Sequence, residues 1–72
     1  MSLDRKTKRA RAQEREQLQN EIYHLQCALD ELYSQFDRIT DSAQVDACIY
    51  QMNAVISKYD YTIKCLKAFE MT

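Results

Sequence analysis

Apolar side chains recur at alternating spacings of four and three along the first half of the chain: Leu18, Ile22, Leu25, Leu29, Leu32, Phe36 and Ile39. Polar residues fill nearly every position between them. A helix is the element that lines such a set up on one face, so this half has one narrow apolar stripe to bury, with Ile22, Leu29 and Phe36 at heptad position a and the others at d. The second half repeats the spacing in Cys48, Met52, Val55, Tyr59, Thr62 and Leu66. An overlapping set, Val45, Ile49, Met52, Ile56, Tyr59, Ile63 and Leu66, widens its stripe. A two-helix contact needs only the narrow version, and a wider stripe implies more than one neighbour.

The chain has no glycine and no proline, which removes the residues that tight turns, strand bulges and phosphate-cradling loops depend on. The break between the two periodic halves must therefore be made by other means. It falls in Arg38-Ile39-Thr40-Asp41-Ser42-Ala43-Gln44, where Asp41 is placed to cap a following helix and Gln44, three residues on, completes a pair of the capping-box kind. Asp46 adds negative charge near the same helix start. The expectation is an all-α antiparallel two-helix hairpin: helix one over about residues 13–40, a turn at 40–42 and helix two over about 42–70, preceded by a basic arm at 1–12.

Pairing the stripes tests this. In an antiparallel pair, a positions of one helix meet d positions of the other, and facing positions share a constant sum. Phe36 then faces Cys48, Leu32 faces Met52, Leu29 faces Val55, Leu25 faces Tyr59, Ile22 faces Thr62 and Leu18 faces Leu66. Each pair sums to 84, which puts the reversal at position 42, where the capping signal already stands. Ile49, Ile56 and Ile63 are left over as a flanking ridge. Three aligned isoleucines in water are an aggregation liability, so the ridge is expected to be covered. A second copy, completing a four-helix bundle in a homodimer, is one way to cover it; another protein is the other.

With 72 residues the chain is one small domain, of the size that usually leans on a partner, a metal or disulfides for stability. Its net charge of −1 hides an asymmetry. Residues 1–15 hold six basic and two acidic side chains, for +4, and residues 16–72 hold four basic and nine acidic, for −5. Cys27, Cys48 and Cys65 are odd in number and form no C-x-x-C pair. With no secretory leader, they read as small apolar residues of a reducing cytoplasm. No apolar run approaches the roughly 20 residues of a membrane span.

The stretches Phe36-Asp-Arg-Ile-Thr-Asp41, Val45-Asp-Ala-Cys-Ile-Tyr-Gln-Met-Asn-Ala54 and Lys58-Tyr-Asp-Tyr-Thr-Ile-Lys64 resemble the YaaL-like family, domain of unknown function 2508. The resemblance covers about residues 36–66. Ser42 departs from the family pattern, which has proline there; at the first turn of a helix the exchange changes little. The resemblance implies a short cytoplasmic all-α protein of Gram-positive bacteria, and it carries no catalytic residues.

Among candidate sites, Arg5, Lys6, Lys8, Arg9 and Arg11 form a cluster that neutralises phosphates or an acidic protein surface, set against the plainer alternative of a solvated end. No aromatic residue interleaves with these charges, so base stacking is not indicated. Glu21 and His24 have the E-x-x-H spacing of di-iron bundles, but they lie off the seam, and such sites also need glutamates from the opposite helices, where helix two offers only Asp46, Asp60 and Glu70, with Asp60 facing outward. His24 with Cys27 has too few ligands for zinc and no cleft for a nucleophile. Tyr59 belongs to the seam, Tyr33 to its edge, and Tyr23, Tyr50 and Tyr61 to outer faces. The sequence thus points to no enzyme, cofactor or metal, but to an interaction or assembly module, with a nucleic-acid accessory role for the basic arm as the alternative.

Overall fold

A computed structural model describes residues 2–71. Helix α1 runs Ser2–Phe36 and helix α2 runs Ser42–Met71. The two pack antiparallel along their length, and the described residues form no strand. Four contacts give the register: Gln26 Nε2 donates to the Tyr59 hydroxyl at 3.2 Å, and the Cys48 thiol lies 3.5 Å from the Leu32 carbonyl. Lys58 Nζ is 3.8 Å from Glu21 Oε1, and the Arg11 guanidinium lies 5.3 Å from the Phe69 ring centre. Their position numbers sum to 85, 80, 79 and 80, within about one and a half helical turns of the expected register.

The seam residues Leu18, Ile22, Leu25, Leu29, Leu32, Met52, Val55, Tyr59 and Leu66 are half-buried. Among the described residues only Cys48 and Thr62 are buried, at 4% and 3% exposure. Thr62 sits in the seam without an orphaned polar group, because its Oγ1 donates to the Lys58 carbonyl one turn back, at 2.8 Å. Phe36, expected opposite Cys48, stays 36% exposed, since α1 ends at that residue and the Cys48 thiol is directed to Leu32 one turn earlier.

Both helix boundaries differ from the expected ones at α1. Its start is Ser2, not 13, so the basic segment is helix rather than a separate arm; Met1 lies outside the described residues. Its end is Phe36, not 40, which lengthens the connection to residues 37–41. Asp37 N–H still reaches Tyr33 O, after which Arg38 N–H bonds Gln35 O and Ile39 N–H bonds Phe36 O, a tightening of the last turn that closes the helix. Ile39 is half-buried in the connection rather than at a helical d position. No described residue has a positive φ, so the reversal is made without the left-handed residue that glycine would supply.

Asp41 then starts α2. Its Oδ1 accepts the Ala43 N–H at 3.0 Å while its carbonyl accepts the Val45 N–H at 2.9 Å, the geometry of an N-cap. No hydrogen bond joins Gln44 back to Asp41 among the described residues. The cap therefore works through Asp41 alone. Asp41→Ala is expected to destabilise the hairpin by about 1 kcal/mol, read as a lower denaturation midpoint by circular dichroism at fixed protein concentration, while Gln44→Ala should fall within a few tenths of wild type.

Candidate functional site

The molecule measures 61 × 16 × 13 Å, with a radius of gyration of 17.2 Å. A compact chain of this length would have about 11 Å. A single layer of two helices encloses no interior, so any site must lie on its outer faces or at its ends.

One candidate is the basic end. By the register of the seam, α2 stops at the level of about residue 13 of α1, and α1 continues alone for roughly another 16 Å. Arg5, Lys6, Lys8, Arg9 and Arg11 are all exposed on this stretch, and Arg15 is exposed just inside its start. Where α2 ends, Lys8, Arg11, Ala12, Arg15, Phe69 and Glu70 line an open cleft. Arg11 lies over the Phe69 ring at cation–π distance, so one of the clustered charges is held in place by the last apolar residue of the seam. Sequence reasoning stopped that seam at Leu66 and missed Phe69, although its position three residues further on the same face was available as a signal. The remaining bases crowd the N-terminal end of α1, where the helix dipole is itself positive and favours anions.

The other candidate is the ridge. Ile49 is 41% exposed, and Ile56 and Ile63 are half-buried. Tyr59 stands between Ile56 and Ile63 on α2, so the flank on which Gln26 reaches the Tyr59 hydroxyl is the flank that carries the ridge. Tyr33 and Gln19, one heptad either side of Gln26, share that flank on α1; Tyr33 is 48% exposed. The Glu21–Lys58 ion pair ties the helices on the opposite flank. Both of its side chains are solvent-exposed, so it adds little to stability.

The remaining candidates disperse. Glu21, of the E-x-x-H pair, points to Lys58; His24 lies against the edge of Tyr23, with ring centres 5.8 Å apart. Among the described residues no three His, Cys, Asp or Glu side chains come together as a metal set. Tyr23, Tyr50 and Tyr61 are exposed. A hydrogen bond with Cys27 raises the Tyr23 phenol above its ordinary pKa, and Cys65 does the same for Tyr61, the nearby ionisable thiol adding to each. No helix of the described residues is long and apolar enough to cross a membrane.

A family model described as "Protein of unknown function (DUF2508)" matches residues 1–71. The chain belongs to this family. The match begins at residue 1, well before the stretches at 36–66 that carried the resemblance, so α1 and its basic end belong to the DUF2508 domain along with α2. No curated protein and no solved structure gives a match.

The three free cysteines report on the hairpin directly. In native protein a maleimide should modify exposed Cys27 first and half-buried Cys65 more slowly. Cys48, at the seam, should react only as fast as the helices open. Mass-spectrometric mapping over time checks this order, and early modification of Cys48 would mean that the seam is not closed in solution.

Proposed function

We propose that this DUF2508 chain is a small cytoplasmic assembly module that associates with itself through the ridge of α2, and that it acts by binding rather than by catalysis. The observation that carries this reading is the ridge: Ile49, Ile56 and Ile63, partly exposed in line on a hairpin that buries only two of its described residues. Large β-branched side chains gain about 25 cal/mol per Å² of apolar surface removed from water, and a second layer would bury what one layer leaves open. Three free cysteines, one of them exposed, suit a reducing compartment.

Light scattering across a range of concentrations tests the proposal. Wild type is expected at twice the 8.5 kDa chain mass. Ile56→Asp puts a carboxylate in the middle of the ridge, where burial without a partner costs several kcal/mol, so the dissociation constant should rise by at least about a hundredfold. An unchanged mutant dimer would remove the ridge from the interface.

A second reading, binding of nucleic acid by the basic end, is favoured by the placement of its cations on an exposed helical extension beyond α2, at the positive end of the α1 dipole. In this reading wild type binds duplex or single-stranded RNA with an affinity that falls steeply as salt rises, and Arg5→Glu with Arg9→Glu abolishes it. Binding that survives the double substitution would place any nucleic-acid contact elsewhere.

A further inference from the structure

Folding the hairpin sorts its charges by height. At the open end, residues 2–19 and 64–71 hold eight basic and four acidic side chains, for +4. At the turn end, residues 30–53 hold Asp30, Glu31, Asp37, Asp41 and Asp46 against Arg38, for −4. The middle, 20–29 and 54–63, holds Glu21, Asp60 and Lys58, for −1. The 61 Å length keeps the two ends apart by several times the roughly 8 Å screening length of physiological salt, so each end acts as a separate patch. We infer that the partner on the ridge is a second copy of this chain lying antiparallel to the first, with Ile56 on the two-fold axis and each basic end beside the other copy's acidic turn. This rests on the self-association proposed above and adds its orientation and register.

Two observations choose antiparallel over parallel. The first is charge. Parallel stacking sets +4 against +4 and −4 against −4, whereas antiparallel stacking sets opposites together at both ends. With Ile56 on the axis, Arg15 and Lys67 stand level with the other copy's Asp41 and Asp46. The second is the asymmetry of the ridge face, where α2 contributes Ile49, Ile56 and Ile63 while α1 contributes Gln19, Gln26 and Tyr33. When two such hairpins stack face to face, antiparallel copies lay α2 over α2, whereas parallel copies lay α2 over α1. Only the antiparallel stack meets isoleucine with isoleucine, Ile49 against the other copy's Ile63.

The test is a spin-label distance in the full chain. Ser42→Cys, in a background carrying Cys27→Ser and Cys65→Ser, places one label at the turn, with buried Cys48 left in place. The two turns of an antiparallel dimer centred on Ile56 are 28 helical positions apart, about 42 Å along the axis. Parallel turns lie at one level and within roughly 20 Å of each other, two helix spacings. A second site, Glu16→Cys, gives about 36 Å against the same short distance and guards against a perturbed turn. A dimer with the long distances at both sites supports the inference. A dimer with short distances overturns the orientation while leaving self-association intact, and a monomer at every concentration overturns the self-association on which it rests.

Discussion

The antiparallel seam between α1 and α2 is the contact on which the rest of the molecule depends. Neither helix has any other element to bury its apolar stripe against, and an isolated helix has no tertiary contact to hold it in water. The seam also fixes everything that faces outward. Once Leu32 lies beside Cys48 and Gln26 beside Tyr59, the ridge, the ion pair and the basic extension have only one arrangement open to them. The cost of so lean a design is the lack of an enclosed core. The described side chains are nearly all in contact with solvent to some degree, and stability comes from a long line of half-buried residues rather than from a few buried ones.

The elements most legible in the sequence are those set by periodicity. The spacing of Leu18 to Phe36 and of Cys48 to Leu66 contains the helices, their relative direction and their register, because only one face of each can be buried and the two faces must match. Asp41 was legible for a different reason: a short acceptor side chain before an apolar run satisfies amide groups that nothing else nearby can satisfy. Local energetics near the ends were not legible in this way. The end of α1 at Phe36 depends on the chain needing several residues to cross from one helix axis to the other, a spatial demand that the heptad through Ile39 does not encode.

The basic end shows the same division. Its charge is plain in the sequence, but charge alone does not distinguish a loose arm from a helix. Good helix formers carry α1 through it, and the Arg11–Phe69 contact fastens it to the last turn of α2. Ile49, Ile56 and Ile63 were legible as a surplus, being more apolar surface than a two-helix seam uses. What meets that surplus is a property of two molecules, and a single chain's pattern speaks to it only through shape and charge.

The turn carries a kinetic consequence. Cross-helix contacts lie at growing separations along the chain: 16 residues for Leu32 with Cys48, 33 for Gln26 with Tyr59, 37 for Glu21 with Lys58 and 58 for Arg11 with Phe69. Each contact made near the turn shortens the loop that the next must close, so entropy favours a zipper that runs outward from the Asp41 cap. The charged extension is then the last part to fasten and the first to fray. Any molecule that bridges it to the last turn of α2 holds shut the end of the hairpin that thermal motion opens most often.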